Sequence, residues 1–178
     1  MRRERRLSLW IAAVAMATGL IGYGGREVAE GADAKPGAWM GGAGFGFLAD
    51  TPNGTAFALN LNAETFVAPK FSVGPLLQLG FTSDASQVGL SGQAKFWVDV
   101  PKIAKGFKVT PQVGLGFVHN SSREGDTSWL IPLGVGADYA LTNKLNVTTT
   151  FLLNFTNLHT GRSVGANVMP GLSFGVRF

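Results

Sequence analysis

Cysteine is absent from the 178 residues, which excludes a disulfide framework, a thiolate metal site and a cysteine-linked lipid anchor. Charge is scarce: 15% of residues are Asp, Glu, Lys or Arg, against roughly one quarter in soluble globular domains. Histidine is limited to two residues, His119 and His159. A metal site on them would need a third ligand such as Asp126 or Glu124, and none is assigned. Beyond residue 34, ten basic side chains stand against seven acidic ones, too even and too scattered for nucleic-acid binding. No repeat of fixed motif runs through the chain, which disfavours a propeller or solenoid. Glycine spacings of the GxGxxG kind occur without a following helix, so no phosphate-binding loop and no cofactor are expected. What remains is a chain of one domain's length, 46% hydrophobic, with 25 glycines.

The N-terminus has the form of an export address. Arg2, Arg3, Arg5 and Arg6 precede a charge-free, mostly apolar run from Leu7 to Gly22. That run falls short of the ~20 residues a spanning helix needs. Small-x-small cleavage sites stand at Ala15-Met16-Ala17 and Ala32-Asp33-Ala34, so the cut is expected after residue 17 or after residue 34. An uncleaved anchor helix is the alternative. The expected division is a signal peptide with a short N-terminal segment over 1–34 and one barrel domain over 35–178.

After Pro36 the pattern alternates to the last residue. Eight strand segments are expected: Trp39 to Leu48, Thr55 to Val67, Lys70 to Thr82, Val88 to Val100, Gly106 to His119, Thr127 to Leu141, Lys144 to Asn157 and Val168 to Phe178. Their connections alternate between longer polar ones, such as ADTPNGT and NSSREGD, and tight ones, such as APK and TNK. Long connections at one end and short ones at the other are the habit of outer-membrane barrels, whose short turns lie in the periplasm. An even strand count places both termini on the short-turn side.

Each segment carries one apolar and one small or polar face, because side chains alternate across a strand. Phe71, Val73, Pro75, Leu77, Leu79 and Phe81 oppose Ser72, Gly74, Leu76, Gln78 and Gly80. Aromatic pairs bracket the apolar faces ten residues apart: Phe71 and Phe81, Phe107 and Phe117, Trp129 and Tyr139. Ten residues of tilted strand cover about 25 Å, the height of a barrel's apolar band. Trp39 and Phe178 are expected in the lower girdle, and Phe47, Phe57 and Phe155 in the upper one. The opposite face is amide-rich and nearly uncharged. A soluble barrel would need lysine and glutamate there. Pro75, Pro111, Pro132 and Pro170 fit badly, since each removes a ladder donor, and they are read as bulges or bends. The first segment is weak, diluted by Gly41, Gly42, Gly44 and Gly46.

From about Trp39 onward the chain resembles the small outer-membrane β-barrel proteins of Gram-negative bacteria, the OmpA/OmpX-like and opacity-like barrels. Two stretches carry the resemblance. LSFGVRF, ending on Phe178, resembles the C-terminal signal those proteins present to the barrel-assembly machinery. ADYALTNKLNVTTTF resembles their periplasmic hairpins. The resemblance implies an all-β, eight-stranded antiparallel transmembrane barrel in the bacterial outer membrane with both termini periplasmic. Its partners would be outer-membrane lipid and lipopolysaccharide.

An eight-stranded barrel is just filled by its own side chains. Glu64, Lys95, Asp99, Asp138 and Arg177 have lumen parity and are expected to form an ion-paired network, a gated ion path being the alternative. No catalytic group is favoured. The sharpest candidate is His119 with Ser121 and Glu124, which resembles the His-x-Ser arrangement of outer-membrane lipid A deacylases. There the pair lies near the C-terminus rather than on a fifth strand. Arg123 and Arg162 could meet lipopolysaccharide phosphates. The function expected is a structural or surface-interaction protein, with a lipid A-modifying enzyme and a narrow pore for ions or very small solutes as alternatives.

Overall fold

The structure, a computed structural model, describes residues 34–122, 125–160 and 164–178. The basic and apolar segment over 1–33 lies outside the described residues, with the candidate cut after 17 and two residues of the candidate site that ends at Ala34, as do Arg123, Glu124 and Arg162. Nine strand pieces follow one another: β1 (Trp39–Thr51), β2 (Gly54–Ala68), β3 (Phe71–Phe81), β4 (Ser86–Phe96), β5 (Val98–Asp99), β6 (Phe107–Asn120), β7 (Asp126–Thr142), β8 (Leu145–Thr160) and β9 (Val164–Arg177). Neighbours in sequence pair antiparallel except β4 and β5, both of which pair with β6, and β1 pairs with β9. The sheet therefore closes on itself. Because β4 and β5 are two parts of one stave, broken at Trp97, the barrel has eight staves. Closure leaves no unpaired edge, the condition for backbone to sit in hydrocarbon.

The two faces separate as the alternation predicts. Leu115 is 69% exposed, Phe47 60% and Trp39 58%, whereas Leu48, Val118 and Leu130 on the other face are buried. Apolar residues thus cover the outside of a closed wall. Water is a poor solvent for so continuous an apolar surface, and lipid a good one. Cross-strand register gathers the aromatics into rows. Phe47 lies opposite Phe57, and Phe57 opposite Phe81, towards the long connections. Phe117 lies opposite Trp129 at that end too. At the other end Phe71 lies opposite Phe96, and Phe107 opposite Tyr139. Trp39 and Phe178 are exposed there.

The glycines of β1 are needed by the seam with β9. A Cβ on Gly46 would stand 1.9 Å from the carbonyl oxygen of Leu172, and one on Gly175 would stand 2.2 Å from that of Ala43. Only a residue without a side chain lets the two backbones approach so closely. The weak β signal of this segment is therefore the mark of a tightly packed seam, and β1 runs three residues past Leu48 to Thr51.

The prolines do not sit at bulges, contrary to expectation. Pro75 keeps its rung with Gly92, Pro111 with Val135 and Pro132 with Asn154. On the opposite side of each, the ladder skips rungs and resumes in the same register: between Asn62 and Thr65, between Lys95 and Val98, and between Val113 and Gly116. A missing N–H thus costs one side of the ladder locally and leaves the alignment intact. Pro170 pairs with Leu153 just beyond the end of the β1–β9 ladder at Gly171. The true register shifts fall near strand ends, as at Phe66/Ala68 and Ala140/Thr142.

Inside, the described side chains form layers. At the short-turn end Ala34, Ala38, Met40, Phe66 and Trp97 make an apolar floor. The segment before β1 folds over that end, its Gly37 N–H donating to the Phe66 carbonyl at 2.7 Å. Polar and charged residues occupy the level above. Towards the long connections Leu48, Ala56, Ala58, Ala166 and Met169 close one side, and Val118, Leu130 and Leu158 the other.

Candidate functional site

Four of the five predicted lumen charges meet just above the floor. Lys95 Nζ donates to Glu64 Oε1 at 3.1 Å, and Arg177 Nη1 donates to Asp138 Oδ2 at 3.0 Å. All four side chains are at most 5% exposed. Removal of four charges from water is tolerable only when each is paired and otherwise hydrogen-bonded. Glu64 also accepts from Ser72 Oγ (2.6 Å) and Asn62 Nδ2 (2.9 Å), and Asp138 accepts from Thr110 Oγ1 (3.1 Å). These donors come from β2, β3 and β6, so the network ties distant staves together.

Trp97 joins the two pairs. Its indole N–H donates to Ser72 Oγ at 2.9 Å, which in turn donates to Glu64. Its ring lies 5.2 Å beneath the Arg177 guanidinium, within cation–π range. One chain of contacts therefore runs from Lys95 through Glu64, Ser72, Trp97 and Arg177 to Asp138. Sequence reasoning missed Trp97 because it assigned aromatics to the outer girdle. The signal was present in its parity, which it shares with Gln93 and Lys95.

Asp99 is the correction to the predicted network. It has the expected parity but lies past the turn that joins β2 to β3, at the open mouth of the barrel. There its side chain is 38% exposed and faces Lys108 at 3.2 Å and Lys70 at 3.7 Å. Parity gives the face on which a residue lies, not its depth.

Between the ionic layer and the apolar roof is a cavity of about 30 Å³, the share of one water in the liquid. Asn60, Asn62, Gln93, Gln112 and Thr148 are among its lining.

Of the catalytic arrangement considered from sequence, His119 and Ser121 lie among the described residues and each has a partner of its own. His119 and Ser121 leave β6 at its upper end, but His119 Nδ1 is 2.8 Å from Thr127 Oγ1. Ser121 Oγ lies 2.6 Å from Ser86 Oγ and donates to the Ser86 carbonyl at 3.0 Å. The imidazole and the hydroxyl thus serve different neighbours. Asp126, above Trp129 and outside the apolar band, accepts from the backbone N–H groups of His159 and Thr127, both at 2.7 Å. The His159 N–H, first, holds its carboxyl below the usual carboxylate range. Among the described residues, no three His, Asp or Glu side chains come close enough to hold a metal ion. Phe117, Trp129, Thr127, Asn157 and His159 border an open depression on the outer wall, below the connection between β6 and β7.

Comparison with solved structures fixes the architecture. Neisserial surface protein A superposes with a TM-score of 0.58 at 18% identity, over 78% of this chain and 94% of that one. This chain has the fold of a transmembrane β-barrel. A de novo designed transmembrane β-barrel matches at a TM-score of 0.51 and 16% identity, over 82% of this chain and 98% of the design. The N-terminal β-barrel domain of Pseudomonas aeruginosa OprF matches at 0.50 and 15%, over 81% of this chain and all of that domain. No protein-family model matches the sequence, and no curated protein does. Identities this low establish the fold and leave the activity to the residues themselves.

Proposed function

We propose that the protein is a structural or surface-interaction barrel of a bacterial outer membrane and is not an enzyme. Its short turns and both termini lie in the periplasm, and its long connections meet envelope lipid, lipopolysaccharide or external partners. The last strand, ending on Phe178, is the segment the barrel-assembly machinery engages. The observation that carries this reading is the inversion of the molecule: an apolar wall faces outward around an interior packed shut by ion pairs and side chains. Such a core leaves the connections as the place for specific contact. Likeness to a protein named for its place at the neisserial surface supports the same reading.

A lumen plugged at both levels speaks against the narrow pore, because ions would have to cross apolar layers and a buried salt-bridge cluster. The separate partners of His119 and Ser121 speak against the enzyme. The test is gel mobility of the outer-membrane fraction, boiled against unboiled, followed by conductance of the folded protein in a planar bilayer. A heat-dependent band shift and electrical silence are expected. A band in the soluble fraction, or steady unitary currents, would defeat the proposal. The lipid A acylation pattern of cells carrying His119→Ala is expected to match that of the parent, and a changed pattern would restore the enzyme.

A further inference from the structure

The charges outside the buried cluster are sorted by end among the described residues. At the short-turn end stand the exposed Lys35, Lys70, Lys102, Lys105 and Lys144 and the half-buried Lys108, against one exposed carboxylate, Asp99. At the long-connection end stand Asp50, Asp84 and Asp126, with no described lysine or arginine. We propose that the short-turn end is a docking surface for anionic phospholipid headgroups, a collar that gathers such lipids around the base of the barrel. The proposal deepens the membrane reading above and rests on it.

Three observations argue for this occupant. First, the lysines occupy every short connection. Lys70 lies between β2 and β3, Lys102 and Lys105 between β5 and β6, and Lys144 between β7 and β8, while Lys35 precedes β1. A ring spread around a perimeter is met by an annulus of small ligands, whereas one macromolecule would need its contacts on one side. Second, Asp99 is engaged by Lys70 and Lys108. Lys102, Lys105 and Lys144 are exposed without a carboxylate partner among the described residues. Their positions adjoin the aromatic row of Phe107 and Tyr139, so four-carbon stems can lie along the apolar wall and place ammonium groups at phosphate depth.

Third, Ile103 is 67% exposed between Lys102 and Lys105. Its turn is held by hydrogen bonds from the Ile103 N–H to Val100 and from the Phe107 N–H to Ala104. An apolar side chain flanked by cations on an ordered turn has the composition of a membrane-surface anchor. At the other end, the charges among the described residues are the carboxylates Asp50, Asp84 and Asp126.

The test uses the full chain folded into nanodiscs of equal phosphatidylglycerol and phosphatidylcholine, with retained lipid counted by native mass spectrometry. Heat-dependent gel mobility is checked first, and its absence would end both the membrane reading and this proposal. With the barrel intact, retention of phosphatidylglycerol over phosphatidylcholine is expected, weakened by high salt. Each neutralised collar lysine should lower the preference about fivefold. K102Q/K105Q/K144Q should therefore abolish most of it, while Asp84→Asn at the other end leaves it unchanged. Equal retention of both lipids by the parent protein, or an undiminished preference in the triple variant, would overturn the proposal. So would binding to peptidoglycan sacculi without any lipid preference.

Discussion

Lys95 meets Glu64 at 3.1 Å and Lys108 meets Asp99 at 3.2 Å, nearly the same contact in two different surroundings. The first pair is sealed within the barrel and the second opens to water at its mouth. Depth, not distance, decides what each contributes. In water a lysine–carboxylate contact of this length contributes about 0–1 kcal/mol, because solvent already stabilises both ions. Inside, the pair taken as a whole gains little over an apolar replacement, yet either partner left alone is costly. The buried cluster is therefore a locking device whose parts depend on one another, and the rim cluster is a solvated decoration.

The comparison can be broken from the inside outward. Arg177→Met is expected to have the largest effect, a loss of about 3–5 kcal/mol, since Asp138 then stays buried without its cation. Urea unfolding of the folded barrel in lipid vesicles measures it. The joint replacement Glu64→Leu with Lys95→Met should cost far less than the sum of its single changes. A double-mutant cycle in the same assay would expose a strong coupling, and additive losses would show the pair to be independent. Trp97→Phe keeps a ring near Arg177 but removes the donor to Ser72, and a loss of about 1–2 kcal/mol is expected. Asp99→Asn should change stability by less than about 1 kcal/mol, a difference that salt erases. A large, salt-insensitive loss at Asp99 would mean that the mouth of the barrel is covered.

The eight segments were readable in the sequence because strand alternation is local: each residue carries its own vote for inside or outside. The aromatic rows were readable for a related reason, since Phe107 and Phe117 stand near the two ends of one strand. What escaped depends on relations between strands. Trp97 became a lumen residue through its position beneath Arg177, and Asp99 left the network because the neighbouring β2–β3 turn ends above it. The start of β9 at Val164, four residues before the expected Val168, lies in a polar, glycine-containing stretch whose pairing with β8 only the partner strand reveals. His119 and Ser121 share a strand face, but their hydrogen bonds go to β7 and β4. The prolines looked like faults in the strands, yet the ladders skip rungs beside Pro75, Pro111 and Pro132, and the β1–β9 ladder ends before Pro170.

The seam between β1 and β9 also determines the order of events in folding. Every other ladder joins strands close in sequence, whereas here Gly42 pairs with Arg177 and Leu48 with Gly171. Local hairpins form quickly, but a pairing across almost the whole domain must wait for its distant partner and sets the slow step. A barrel stalled before that moment would present two bare strand edges, each rich in unpaired backbone groups that hydrocarbon cannot satisfy. Closure and full entry into the bilayer are thus expected to be one concerted passage, with no stable open sheet on the membrane side of it.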